Sequence, residues 1–142
     1  MLVSRVLVLV SSLLFTIATL ADELSGAIAA DYAYLEPLFV HFHQHPELSY
    51  VEHATAARLA SELRSAGVTE VTEGVGGTGV VGVVRNGAGP VVLVRADMDG
   101  LPIKEKSGLA YASSARQLDI DGNEFPVMHA CGHDVHITAL VG

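Results

Sequence analysis

Pro90-Val91-Val92-Leu93-Val94-Arg95-Ala96-Asp97-Met98-Asp99-Gly100-Leu101-Pro102 is the stretch on which the fold class turns. Proline opens a strand more readily than it continues one. The apolar run that follows has no polar alternation. It predicts a strand buried on both faces, as in the centre of an α/β sheet. Two carboxylates, Asp97 and Asp99, come directly after it. The carboxyl end of such a strand is the usual ligand-binding edge of an α/β sheet. A solvated Asp-Gly turn would explain the same residues, but the position at a strand end favours a functional role.

Upstream, Asn86-Gly87-Ala88-Gly89 predicts a turn that pairs this strand with Val80-Val81-Gly82-Val83-Val84 as a hairpin. Gly74-Val75-Gly76-Gly77-Thr78-Gly79 formally matches GxGxxG. A dinucleotide loop must leave a strand and open a helix, whereas these glycines precede a strand and read as a flexible turn. Ser49-Tyr50-Val51-Glu52 has the form of a capping box. It predicts a helix from Tyr50 to about Ala66, with Ala56, Leu59, Ala60, Leu63 and Ala66 on one stripe and Gly67 as its stop. Residues 22–48 predict a further helix, with Pro37 in its first turn and Pro46 at its end. His41, His43 and His45 lie two apart and do not share a helix face, so structural or surface roles are expected rather than a chelate. Residues 1–21 read as a secretory signal: Arg5 precedes an apolar run, and Thr19-Leu20-Ala21 suits cleavage before Asp22. The expected location is therefore secreted or periplasmic. The mature part, 22–142, is long enough for one domain with a core.

Downstream, residues 103–127 have no clear periodicity. Asp119-Ile120-Asp121-Gly122-Asn123-Glu124 is acidic and turn-rich but lacks the spacing of a calcium loop. It reads as a loop that carries the following segment to the strand ends. That segment is Met128-His129-Ala130-Cys131-Gly132-His133-Asp134-Val135-His136, and a helix is predicted to begin at about Asp134. A helix N-terminus favours a nearby thiolate. Asp134 suits either a cap or a partner that orients a ligand histidine. Three readings of Cys131 and His133 stand side by side. They are two ligands of a catalytic metal site, a Cys/His nucleophilic pair, or an inert cysteine beside unrelated histidines.

Composition narrows the function classes. Half the residues are apolar and 17% are charged, which indicates a folded chain rather than a disordered one. The formal charge is −8 and no basic run exists, which argues against nucleic acid as a partner. A single cysteine rules out an internal disulfide.

Four motifs in order then resemble one family. They are His43-Gln44-His45-Pro46-Glu47-Leu48-Ser49, Val75-Gly76-Gly77-Thr78-Gly79-Val80-Val81-Gly82, the Arg95–Pro102 stretch, and Met128–Asp134. Together they resemble the metal-dependent amidohydrolases of the aminoacylase, hippurate hydrolase and auxin-conjugate hydrolase group, within the aminoacylase-like metallopeptidases. The resemblance implies the N-terminal part of a dinuclear-metal exopeptidase-like α/β catalytic domain, with a mixed central sheet flanked by helices. It implies hydrolysis of N-acyl amino acids or related small amides at two divalent metal ions, zinc or manganese. Carried over by motif, Cys131 and His133 are metal ligands and Asp97 is a supporting carboxylate near the metals; Asp134, His129 and His136 read as supporting residues from their place beside them. The family's general-base glutamate, its remaining ligands and its lid or dimerisation domain are expected downstream of these residues, and the resemblance allows a homodimer for the full-length enzyme. Two positions depart from the pattern. Arg95 stands where the wider family has a metal-binding histidine, and Gly100 stands where alanine is frequent. The rival expectation is a non-catalytic truncated remnant that binds metal weakly at most.

Overall fold

The structure, a computed structural model, describes residues 2–142, with side chains described from Glu23 onward. The chain divides into two compact units, Met1–Tyr34 and Leu35–Gly142. Helix α1 runs Leu2–Gln44. Pro37 lies inside it rather than in its first turn, so the expected start is corrected. The missing Pro37 N–H leaves the Ala33 carbonyl without its usual helical donor. The side chains of the expected signal, residues 1–21, lie outside those described. Among the described residues no helix is long and apolar enough to cross a membrane.

In the second unit, α2 spans His53–Ser65 and α3 spans His133–Val141. The core is built where the helices meet: Leu38 and Phe42 from α1, Leu59 from α2 and Ile137 from α3 are all buried, with Ala96 and Met98 packed against them. Full burial of each such side chain contributes roughly 1.5–3 kcal/mol. Leu38 and Phe42 sit four apart and so share one face of α1.

The expected capping box does not form. Helix α2 starts three residues later than predicted, and Glu52, its N-cap residue, makes no side-chain cap bond. The cap comes from Glu47, whose carboxylate accepts the Ala54 N–H at 3.1 Å and the Thr55 N–H at 2.6 Å. Ser49 and Glu52 turn to other partners, Asp99 and Thr78. The C-terminal stop holds: Gly67 takes φ +92°, and the Val68 N–H reaches back to the Leu63 carbonyl.

The expected hairpin is also corrected. Strand β2, Gly79–Val83, pairs antiparallel with an unforeseen strand β1, Glu70–Val75, and not with Val91–Val94. The glycines at 74, 76 and 77, all at positive φ, make the reversal between β1 and β2. A second hairpin, β3 (Arg116–Leu118) with β4 (Glu124–Pro126), lies in the segment without periodicity. Its turn is closed by Asp119, whose Oδ1 accepts the backbone N–H groups of Asp121 and Asn123. Among the described residues the sheets are thus two antiparallel pairs. Val91, Val92, Leu93 and Val94 belong to neither, and they are 98%, 80%, 83% and 74% exposed.

What positions the site is a pair of single bridges. Leu48 pairs in parallel with Gly100, and Leu101 pairs antiparallel with Met128. The Gly100 N–H donates to the Glu47 carbonyl at 2.6 Å, and Leu101 and Met128 exchange bonds of 2.9 and 3.1 Å. Gly100 is required by close approach rather than by φ. A Cβ there would stand 2.8 Å from Val127 Cγ1 and 3.0 Å from Pro46 Cβ.

Candidate metal centre

Gly132 lets the chain turn from Cys131 into α3. It is the N-cap residue, at φ +78°, a conformation glycine adopts without steric cost. On one side of it the Cys131 thiol is free and exposed. On the other, His133 Nδ1 lies 2.9 Å from the Asp99 carbonyl oxygen and 3.0 Å from Asp99 Oδ1. Both neighbours only accept, so Nδ1 carries the hydrogen and Nε2 is the nitrogen left to face a ligand. This is how metal-ligating histidines are commonly oriented. Ser49 Oγ donates to the other Asp99 oxygen, Oδ2, at 2.6 Å. A relay from Ser49 through Asp99 therefore sets the tautomer and direction of the His133 ring. The exposed His136 ring lies beside that of His133, with centroids 5.7 Å apart.

His129 is buried, and neither of its ring nitrogens has a hydrogen-bond partner among the described residues. Burial holds its pKa below the ordinary histidine value. The Asp134 charge opposes this, while His133 and His43 reinforce it. The Asp99 backbone adds a small upward pull without meeting hydrogen-bond geometry. A buried neutral imidazole with unused nitrogens results.

Asp134 is almost fully buried and faces His43, with Oδ2 at 2.7 Å from His43 Nδ1. The other His43 nitrogen lies 3.2 Å from Glu105 Oε1. Burial alone would lower the His43 pKa, but the bonds to Asp134 and Glu105 outweigh it and the pKa is raised. Burial likewise works against ionisation of Glu105, but bonds from Ser107, the Ser113 N–H and His43 bring its pKa below the usual carboxylate value.

The expected site residues are therefore placed unevenly. Cys131 and His133 flank one turn. Asp134 orients His43 rather than one of the histidines at 129, 133 and 136. Asp97 is ion-paired with Arg95, both side chains substantially exposed, whereas the carboxylate against His133 is that of Asp99. The roles of Ser49, His43 and Glu105 were not anticipated. A buried face on α1, marked by Leu38 and Phe42 just before His43, was the available signal for that histidine.

The donor types suit a divalent ion, since a thiolate with a neutral imidazole fits zinc and its neighbours. Their number falls short. A catalytic zinc takes three protein ligands, and among the described residues no three His, Cys, Asp or Glu side chains are grouped to hold one ion. Beside Asp99 a cleft of about 400 Å³ opens, floored by Leu59, Leu63 and Ile137 and edged by Arg95, Asp97 and Asp99. That volume lies within the range of small-molecule sites.

No family model matches the chain. Thermostable carboxypeptidase 2 of Saccharolobus solfataricus is 46% identical over 102 residues, covering 70% of this chain and 23% of its own length. Hippurate hydrolase of Campylobacter jejuni is 43% identical over 100 residues, covering 70% and 24%. Among solved structures, the YXEP protein of Bacillus subtilis, a dinuclear metal-binding peptidase of the M20 family, matches with a TM-score of 0.66 at 32% identity. That match covers 80% of this chain and 29% of the other. The chain thus spans about a quarter of the length of the relatives it matches. Sequence similarity over most of its residues and a shared fold agree, and the chain belongs to the family of metal-dependent amidohydrolases and M20 peptidases.

Proposed function

We propose that this chain contributes part of the active site of a hydrolase that cleaves the amide bond of N-acyl amino acids or related conjugates. The observation that carries the reading is His133, its Nδ1 held by Asp99 and its Nε2 left free, one residue beyond the glycine that follows an exposed thiol. Cys131 and His133 would hold a divalent ion, zinc or manganese, as two of its ligands. Such an ion supplies Lewis acidity, polarising an amide carbonyl and making water acidic enough to serve as nucleophile near neutral pH. Asp99 fixes the His133 ring, and the cleft beside it offers an apolar floor to an acyl group and Arg95 to a carboxylate. Hippurate hydrolase, an enzyme named for an N-acyl amino acid, supports that substrate class. The general base lies elsewhere. Each buried glutamate of the described residues is already engaged: Glu52 with Thr78, Glu62 with Arg58 and Glu105 with His43. An enzyme of two such metals, homodimeric and exported by way of residues 1–21, completes the proposal.

Substitution Cys131→Ser tests it. In the protein carrying this segment the variant should lose zinc or manganese by elemental analysis, and hydrolysis of a hippurate-type substrate should fall about 100-fold or more, the upper range for a disturbed metal site. Unchanged metal content would sink the ligand assignment. A second reading, a segment that binds metal weakly and turns nothing over, is favoured by the shortage of donors among the described residues. It predicts no hydrolysis by the 142-residue chain alone at any zinc concentration, and turnover by that chain refutes it.

A further inference from the structure

His43 stands at the junction of three segments. It rides on α1, its Nδ1 faces Asp134 at the start of α3, and its Nε2 faces Glu105 in the loop after Gly100. All three side chains are buried. Phe39 and Tyr111 flank the ring, with centroids 5.7 and 5.2 Å from it, and leave it little room to turn. Glu105 is itself braced, accepting the Ser113 N–H at 2.5 Å and the Ser107 hydroxyl. Asp134 is tied into α3: its Oδ1 accepts the Val135 N–H at 2.9 Å, and its carbonyl accepts the Thr138 hydroxyl at 2.7 Å. Asp134 is also the residue directly after His133. Whatever holds its carboxylate holds the first turn of α3, and with it the direction in which the Gly132 turn presents Cys131 and His133.

We propose that His43 is a positioning residue for the metal-bearing turn, acting through its Nδ1 bond to Asp134. Its Nε2 bond to Glu105 serves the stability of the fold instead. This rests on the reading of Cys131 and His133 as ligands. The geometry gives the two ring nitrogens separate duties, and amide side chains can separate them. An asparagine at 43 places its NH2 near the position of Nδ1. A glutamine places its NH2 near that of Nε2.

The readout is zinc protection of the Cys131 thiol in the full chain. Alkylation by N-ethylmaleimide is followed by intact mass while zinc is titrated, and the zinc concentration giving half protection is recorded. His43→Asn should stay within about threefold of the unsubstituted chain, and His43→Gln should need at least about tenfold more zinc, as for loss of a residue supporting a metal ligand. Both variants should lose comparable thermal stability, because each gives up one carboxylate bond. Equal zinc midpoints for the two variants would overturn the proposal and leave His43 a purely structural residue. Glu105→Gln guards against both variants misfolding. It leaves the Asp134 side intact and should stay within about threefold; a tenfold rise overturns the proposal as well. If zinc does not protect the unsubstituted chain, the ligand reading itself fails and this inference falls with it.

Discussion

A histidine with a carboxylate at each ring nitrogen satisfies both only as an imidazolium. His43 is such a residue, between Asp134 and Glu105, with His129 and Tyr111 as further titratable groups in reach. Its raised pKa means that its contribution is complete below the ordinary histidine value of 6.5 and fades as pH climbs through the elevated one. Glu105 works in the opposite direction. Its lowered pKa gives a contribution present above the ordinary 4.5 and lost as pH falls through the depressed value. His129, whose pKa burial lowers, works against His43 by costing stability as pH falls below 6.5, so the His43 contribution is read as a difference. In urea unfolding the stability of the unsubstituted chain relative to His43→Gln should be greatest below about pH 6.5 and should narrow above it. A difference that does not narrow as pH rises above 6.5 would contradict the charged state of His43. Residues of this kind are hard to find in a sequence. Cys131 and His133 announce themselves by lying two apart around a glycine, whereas the His43 partners are 62 and 91 residues away. Asp99 was visible as a carboxylate at a strand end, but nothing local distinguished it from Asp97. The backbone of the Leu48–Gly100 and Leu101–Met128 bridges makes that choice.

At the scale of elements, the sequence located the end of α2 better than its beginning. Gly67 stops α2 because a left-handed residue there costs glycine little, a local cause that needs no partner. The start of α2 depended on a competition. Ser49 had the capping position, but the Asp99 carboxylate drew its hydroxyl away and Glu47 reached the open N–H groups instead. Strand pairing shows the same limit. The glycine-rich turn was legible, but which strand it joined to Gly79–Val83 was not, since β1 carries only weak alternation. Gly100 gives this scale its prediction. With Val127 Cγ1 2.8 Å from the added carbon, Gly100→Ala should destabilise the second unit by about 1–3 kcal/mol. It should also loosen His133 by displacing Asp99. Denaturant unfolding measures the first effect, and no loss of stability would show that Val127 and Pro46 can give way. The family resemblance places alanine here often, so relatives with alanine should carry a smaller side chain at the position of Val127.

At the scale of the molecule, α/β architecture was legible from element types, and the match to solved relatives agrees with it. The central sheet was not, because a strand is defined by its neighbours. Val91–Val94 has the composition of a buried strand, yet no described strand lies against it. An unpaired apolar run of this kind templates association with other chains. In the 142-residue chain, Val92→Lys should reduce self-association, seen by light scattering, and shift folding stability by no more than about 0.5 kcal/mol, since Val92 is 80% exposed. A large loss of stability would mean that the run is packed after all.

The bare run also bears on synthesis. Once the residues up to Gly142 have emerged from the ribosome, α2, both hairpins and α3 can form, but Val91–Val94 is still open to solvent. Translation at roughly 5–20 residues per second leaves such a segment uncovered for seconds at a time, unless further chain or a bound chaperone shields it. Val91–Val94 is therefore the segment that ribosome-associated holdases should engage first.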